Sequence, residues 1–158
     1  VQDRWHFGSL PEMVASSDAL VQGRVVDTRP GRSVGEGEEA LQFRAVTIWV
    51  ERVFRGLVAG ETVLLEETGY GLEIEGFPAS RTGDRGFYFL FAKEPGRVYD
   101  VINYSQSRFL IRGDRLVGPS GGDPLVNEVE GLAMEHFLQL LEVAAQAAAR
   151  GEVASIRR

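Results

Sequence analysis

Residues 41–54 read LQFRAVTIWVERVF and form the clearest strand pattern in the chain. Val46, Ile48 and Val50 alternate onto one face, and Phe43 and Trp49 lie on the other. Both faces therefore carry large apolar side chains, which predicts that both are covered in the folded protein. We expect a helix to cover the face that holds Phe43 and Trp49.

Shorter strand patterns lie on either side of this stretch. Residues 19–28 form the first of them, and Gly23 within it predicts a bulge or a sharp bend that lets one strand serve two neighbours. Residues 29–40 are rich in Gly and Glu and are predicted to be a mobile loop. The later strand patterns are residues 62–66, 87–91, 98–103, 108–112 and 115–117.

Two of these later patterns carry specific information. Residues 87–91 read FYFLF, which is apolar on both faces and therefore predicts a central strand. Gly113-Asp114 separates the last two patterns and is typical of a two-residue hairpin loop. Residues 68–81 are predicted to be a long connection, with a short strand near residues 72–74.

Helical patterns occur at the two ends of the chain. Ser9 and Glu12 form a capping box, which predicts a short helix through Met13. Near the C-terminus the apolar period changes to 3.6, which predicts one amphipathic helix over about 126–150, capped by Asn127 and ended by Gly151. Its predicted apolar stripe comprises Val129, Leu132, Ala133, Phe137, Leu140, Leu141, Ala144 and Ala148.

These patterns predict a mainly β fold. The expected architecture is a small OB-like β-barrel with a short N-terminal helix and a C-terminal amphipathic α-helix packed on the barrel. A chain of 158 residues fits a single domain. We expect the barrel to span about 18–117 and the helix about 126–150, followed by a flexible tail at 152–158.

Three segments resemble a known group of proteins. They are residues 17–25 (SDALVQGRV), 50–56 (VERVFRG) and 83–91 (GDRGFYFLF). Their order is similar to that of small bacterial exported domains with an OB-type barrel, which share their architecture with the tissue-inhibitor-of-metalloproteinase and netrin-like barrels. The resemblance covers about 18–117. The inhibitors of that fold use an N-terminal cysteine to chelate zinc, whereas this chain begins at Val1 and has no cysteine, so no functional residue is carried over.

Composition narrows the possible partners. The net charge is −6 and the sequence pI is about 5.0, which argues against a nucleic-acid binder and against an electrostatic hold on anionic lipid. The sequence holds no apolar run long enough to span a membrane. The absence of cysteine excludes disulfides and thiolate chemistry. A first residue other than Met indicates that a signal peptide was removed or that the chain was trimmed, and together with the resemblance it leads us to expect a secreted or envelope-associated protein.

No catalytic constellation is present in the sequence. His6 and His136 are the two histidines, and they lie too far apart in the chain for a metal-binding motif. Ser120 lies in a Gly-rich linker without the strand–turn–helix context of a nucleophile. Solvated surface charge is the favoured interpretation of the grouped carboxylates, which are Glu36, Glu38, Glu39, Glu66, Glu67, Glu73 and Glu75. We therefore assign no catalytic residue, metal ligand or cofactor.

Four aromatic residues are the candidate ligand contacts. Tyr70, Phe77, Tyr99 and Tyr104 fall in or near predicted connections, where OB-type barrels bind ligands by stacking. The alternative interpretation is that these rings seal the ends of the barrel.

The function we expect is that of a non-catalytic binding module with a protein or glycan ligand at the cell envelope. One alternative is a single-stranded nucleic-acid-binding OB domain. Its basic face would be formed by Arg44, Arg52, Arg81, Arg85, Arg108 and Arg112. The other alternative is a hydrolase that uses a pair of carboxylates.

Overall fold

A computed structural model describes residues 6–56, 58, 60–68, 79–94, 97–101, 106–119 and 122–155. The helices are α1 (Leu10–Ser16), α2 (Pro124–Val129) and α3 (Met134–Ala149). The strands are β1 (Ala19–Val34), β2 (Leu41–Arg55), β3 (Thr62–Thr68), β4 (Arg85–Glu94), β5 (Val98–Val101), β6 (Arg108–Arg112) and β7 (Arg115–Val117). The predicted class is confirmed: the protein is mainly β, with a short helix near the N-terminus and helices at the C-terminus.

The seven described strands form one sheet in the order β1-β2-β3-β5-β4-β6-β7. An additional pairing between β1 and β4 closes the first five strands of this order into a ring. β3 and β5 pair in parallel, and the other pairs are antiparallel. The β6–β7 hairpin extends the sheet from β4 outside the ring.

The prediction of a mobile loop at residues 29–40 is wrong for its first half. β1 continues to Val34, and its pairing with β2 extends to Val34 opposite Leu41. Only the short 3₁₀ turn at Gly37–Glu39 and the residues beside it connect the two strands. The Gly- and Glu-rich composition favours a loop locally, but the facing strand supplies hydrogen-bond partners. One is the side-chain amide of Gln42, which donates to the Gly31 carbonyl at 2.7 Å.

Around Gly23, β1 pairs with two neighbouring strands, as predicted. Gly23 lies opposite Val50 of β2 and Gly86 of β4, and the β1–β2 register shifts between Gln22 and Gly23. A Cβ at this position would lie 2.5 Å from Ile48 Cγ2 and 2.7 Å from the Trp49 carbonyl oxygen. The ring closes here because glycine lets the backbones approach this closely.

Gly23→Ala is therefore expected to lower the free energy of unfolding by about 1–3 kcal/mol, the usual cost of overpacking. Urea unfolding monitored by tryptophan fluorescence measures the change. Gly60→Ala is the matched control, because a Cβ there meets nothing within 4 Å. Equal stability of the two variants would contradict the close approach at Gly23.

The apolar residues form two cores separated by the sheet. One lies inside the ring and includes Val46, Ile48, Leu65 and Leu90. The other, which we call the outer core, lies outside the ring and beneath the helices. It is formed by side chains of α1, the sheet and α3, which include Met13, Val14, Phe87, Phe89, Phe109, Phe137, Leu141 and Ala144. β4 contributes to both cores through alternate residues and pairs with β1, β5 and β6, which confirms that it is central.

The helix that we expected over Phe43 and Trp49 packs elsewhere. Phe137 of α3 contacts Phe87 and Phe109, with ring centroids 4.9 and 5.7 Å apart. Trp49 remains 39% exposed. The reason is connectivity: the chain enters the C-terminal helices from β7, which lies beside β6, so the helices cover that part of the sheet.

The predicted single helix over 126–150 is also wrong, because the chain forms two helices there. Asp123, and not Asn127, caps the first, since its Oδ1 accepts from the amides of Leu125 and Val126 at 2.9 and 3.2 Å. Gly131 adopts a φ of +82° and interrupts the helical pattern. The interruption is held by β7, where Leu116 donates to the Leu132 carbonyl at 3.0 Å and accepts from the Gly131 amide at 2.8 Å.

Replacing the two cap candidates separates these interpretations. Asp123→Ala is expected to destabilise the protein by about 1–2 kcal/mol, because the carboxylate satisfies two orphan amides of α2. Asn127→Ala, at an exposed position within α2, is expected to change stability by less than about 0.5 kcal/mol. Urea unfolding of both variants measures the difference. A larger loss for Asn127→Ala would restore the sequence-based cap.

The Ser9 cap, the turn at Gly113 and the end of the last helix at Gly151 are confirmed, whereas the short strand predicted near residues 72–74 lies outside the described residues. Ser9 Oγ accepts from the Glu12 amide at 3.3 Å, although Glu12 Oε1 accepts from the Gly8 amide at 3.0 Å instead of from that of Ser9. The β6–β7 turn contains Gly113 at a φ of +64°, and α3 ends before Gly151 at a φ of +73°. Leu140 departs from its predicted buried stripe and is 39% exposed.

Candidate functional site

A group of charged and polar side chains lies inside the protein beside the apolar core of the ring. The register places Arg44 opposite Glu67 and Tyr88 opposite Arg108. Arg44 and Glu67 share strand faces with Val46 and Leu65, which point into the ring. We call Arg44, Glu67, Ser80, Tyr88 and Arg108 the buried ionic cluster.

Glu67 is the hub of this cluster. Its Oε2 lies 3.8 Å from Arg44 Nε, and its Oε1 lies 3.8 Å from Arg108 Nη1. Ser80 donates its amide to Glu67 Oε2 at 3.3 Å and its hydroxyl to Oε1, and Arg108 Nη1 donates to Ser80 Oγ at 3.4 Å. Glu67 and Arg108 are each only 3% exposed, so the arginine is held in one position inside the protein.

Two buried hydroxyls beside these charges lack a partner. The Tyr88 and Ser107 hydroxyls make no hydrogen bond to any part of the chain that the structure describes. Burial raises the pKa of Tyr88; the positive charge of Arg108 opposes this shift, and the negative charge of Asp84 adds to it. Burial also lowers the pKa of the Arg108 guanidinium, and the Glu67 carboxylate counteracts that effect. Tyr88 is thus in electrostatic contact with the charges around it, and its unpaired hydroxyl is unusual for a buried polar group.

Arg108 also lines a cleft of about 310 Å³, which we call the arginine cleft. Arg81, Asp84 and Arg112 are its other charged lining residues. Arg112 Nη2 lies 3.5 Å from Asp84 Oδ1, and Asp84 Oδ2 accepts from the Arg81 amide at 3.0 Å. The rest of the lining is apolar or glycine, comprising Ala79, Leu110, Val117, Gly118 and Pro119.

The charges of the cleft and the cluster do not balance. Among the described residues, Arg81, Arg108 and Arg112 line the cleft and Arg44 lies beside Glu67, whereas Glu67 and Asp84 are the two carboxylates of the cleft and the cluster. This local positive excess occurs in a protein whose net charge is −6. Guanidinium groups bind oxyanions by paired hydrogen bonds, so the cleft has the chemistry of an anion-binding site.

The sequence analysis was wrong about Glu66 and Glu67, which are buried and not solvated. Glu66 lies on the opposite strand face from Glu67 and accepts from Arg32 Nε at 2.8 Å and from Lys93 Nζ at 3.2 Å. Burial raises the pKa of Glu66, but the hydrogen bonds from Arg32 and Lys93 outweigh that effect and leave the pKa lowered. Glu36, Glu38 and Glu39 are exposed as predicted, and Glu73 and Glu75 lie outside the described residues.

One of the four aromatic candidates falls within the described residues. Tyr99 is 2% exposed and packs in the core inside the ring. Tyr70, Phe77 and Tyr104 lie outside the described residues.

The histidines and the linker serine form no described site. His6 Nε2 lies 3.3 Å from Asp123 Oδ2, and His136 is exposed on α3. Ser120 lies outside the described residues. Within those residues, no group of three or more His, Asp or Glu side chains is placed to hold a metal ion.

Five of the six arginines considered for nucleic-acid binding pair with carboxylates. Beyond the three ion pairs already given, Arg52 pairs with Glu142 of α3, and Arg85 Nε lies 2.8 Å from Glu51 Oε1. Such pairing argues against a continuous positive groove along one face. Three of the six nevertheless line the arginine cleft, which is far smaller than a nucleic-acid groove.

No protein-family model matches the chain, and the search of curated proteins found no match. In the described part of the chain, no helix has the length and apolarity to cross a membrane.

Proposed function

We propose that the protein is a non-catalytic binding module that recognises an anionic group on a protein or glycan ligand, and that the arginine cleft is its recognition site. The observation that carries this proposal is the excess of arginines over carboxylates among the described residues of the cleft and the cluster. A small local excess matters here because the rest of the protein carries net negative charge, which repels anions from other surfaces.

The arginines differ in how firmly they are held. Arg108 is buried and fixed by Glu67 and Ser80, so an anion that reaches it meets a preorganised donor. Arg112 is about half exposed, and its two contacts are long: Nη2 lies 3.5 Å from Asp84 Oδ1, and Nη1 donates to the Ile111 carbonyl at 3.4 Å, so the side chain can turn toward a ligand. One fixed and one adjustable guanidinium support capture of an oxyanion from solvent.

The resemblance of the sequence to exported OB-type domains supports two further parts of the proposal. We propose that the five-stranded ring belongs to that class of barrel and that the module acts outside the cytoplasm. Fractionation of the native cells tests the second part. Recovery of the protein with the cytoplasmic fraction alone would reject it.

The anion site is tested by isothermal titration calorimetry with acetate, phosphate, sulfate and glucuronate at constant ionic strength. We expect saturable binding of at least one anion. Arg112→Gln is expected to weaken that binding about tenfold, the usual loss when one charged hydrogen bond is removed.

Arg29→Gln is the matched control for this experiment. It removes the same charge from an exposed position on β1, where Arg29 pairs with Asp27 and does not line the cleft. Its affinity is expected to equal that of the unmodified protein. Absence of binding by every anion, or equal losses in the two variants, would reject the arginine cleft as the site.

A further inference from the structure

The arginine cleft has an apolar side that the anion alone does not explain. Leu110, Val117 and Pro119 line it together with Ala79. Val117 is 39% exposed. An inorganic anion would leave this apolar surface unused, whereas an apolar group attached to the anion would bury it.

We infer that the ligand group is a carboxylate that carries an apolar body about the size of one aliphatic residue. This inference rests on the proposed function and names its ligand class. The cleft volume of about 310 Å³ is at the lower end for ligand sites and fits one such group. The carboxylate is placed toward Arg108 and Arg112, and the body lies against Leu110, Val117 and Pro119.

The charges on the rim favour a carboxylate over phosphate or sulfate esters. Asp84 lies 3.5 Å from Arg112 and neutralises part of its charge. A ligand with more than one negative charge would place the second beside this carboxylate, where like charges repel. A single carboxylate fits the remaining positive charge.

The apolar lining also disfavours a sugar acid. The hydroxyl groups of a uronate would lose water against Leu110, Val117 and Pro119, and those side chains offer no hydrogen bond in return. A glycan ligand would therefore pay a desolvation cost that an aliphatic ligand does not.

Two sources supply this chemistry: the C-terminal residue of a peptide and a free aliphatic acid. Both present a carboxylate next to an apolar chain. The probes N-acetyl-L-leucine and 4-methylpentanoate represent them, and a pentapeptide that ends in leucine with a free carboxylate tests the longer ligand.

The experiment is calorimetric titration of the full chain with three matched small probes. N-acetyl-L-leucine is expected to bind, N-acetyl-L-leucinamide about tenfold more weakly because it lacks the charge, and N-acetylglycine about tenfold more weakly because it lacks the aliphatic body. Two variants assign these losses. Arg112→Gln is expected to reduce the affinity advantage of N-acetyl-L-leucine over its amide. Val117→Ser is expected to reduce the affinity advantage of N-acetyl-L-leucine over N-acetylglycine. Arg29→Gln is expected to leave both advantages unchanged.

The pentapeptide and 4-methylpentanoate distinguish the two possible sources of the ligand carboxylate, a peptide C-terminus and a free aliphatic acid. Tighter binding of the pentapeptide acid than of its C-terminal amide and of 4-methylpentanoate supports a peptide C-terminus. Equal binding of 4-methylpentanoate and N-acetyl-L-leucine, without binding of the pentapeptide, supports a free acid.

Failure of this inference differs from failure of the proposed function. Equal affinities for acetate, N-acetylglycine and N-acetyl-L-leucine would reject the inference that the ligand carries an apolar body, while the proposed anion site would stand. Tighter binding of glucuronate or phosphate than of N-acetyl-L-leucine would overturn it as well. If no anion of either panel binds, the proposed function fails together with the inference.

Discussion

Glu67→Ala is expected to lower the free energy of unfolding by about 3–5 kcal/mol, the usual cost of removing one partner from a buried ion pair. Arg108 is 3% exposed and would lose the carboxylate that compensates its charge. Ser80 would also lose the acceptor of both its amide and its hydroxyl. Urea unfolding followed by circular dichroism measures the loss.

Two further variants make this expectation specific. Glu38→Ala removes an exposed carboxylate from the 3₁₀ turn and is expected to change stability by less than about 0.5 kcal/mol. The double variant Glu67→Met with Arg108→Met removes both buried charges and is expected to be more stable than Glu67→Ala, because it does not leave the buried Arg108 guanidinium without a carboxylate, whereas Arg44 loses Glu67 in both variants. A double variant that is less stable than Glu67→Ala would contradict this account of the cluster.

Phe137→Ala is the second large effect, with an expected loss of about 3–5 kcal/mol for a fully buried aromatic ring. Phe137 is completely buried and contacts the rings of Phe87 and Phe109 from the helical side of the sheet. Truncation opens a cavity between α3 and β4 that the close-packed neighbours cannot fill. The same urea unfolding experiment measures the loss.

The control for Phe137 lies on the same helix. Val143 is 66% exposed, and Val143→Ala is expected to change stability by less than about 0.5 kcal/mol. A small effect of Phe137→Ala would contradict the packing of α3 on the outer core.

The two large effects differ in their consequence for binding. Glu67 holds Arg108 at the arginine cleft, so Glu67→Ala is expected to weaken anion binding as well as stability. Phe137 belongs to the outer core and does not line the cleft. Phe137→Ala is expected to bind anions with unchanged affinity at temperatures where the variant remains folded.

The sequence identifies individual strands well where alternation is strong. The strand at 41–54, the central strand at 87–91 and the hairpin around Gly113 are all present in the structure. These patterns are local, because side-chain alternation and turn chemistry depend only on neighbouring residues. The prediction failed at residues 29–34, where pairing with a distant strand overrides a composition typical of loops.

The helical prediction shows the same limit. The 3.6-residue period from Val129 to Ala148 is real, but the chain breaks at Gly131 because β7 supplies hydrogen bonds to residues 131 and 132. The sequence contains the glycine without indicating what it contacts. The surface covered by α3 was likewise set by the position of β7 beside β6, which alternation does not reveal.

The candidate site was the least predictable part of the protein. Arg81, Arg108 and Arg112 entered the sequence analysis only as members of a possible basic face, and Glu67 was counted as surface charge. Asp84 lies in the GDRG segment quoted for the resemblance, and Tyr88 lies in the central strand. The one available signal was an arginine and a glutamate at the inward positions of apolar strands, where a charge requires a partner.

The sequence by itself therefore determined the mainly β class, most of the strands and the amphipathic C-terminus, because each follows from periodicity within a short window. Only the tertiary structure decided that β1 and β4 close a ring, that Glu67 meets Arg108, and that three arginines line one cleft. These contacts join residues far apart in the chain. Their energies depend on burial and on the facing group, neither of which a local pattern contains.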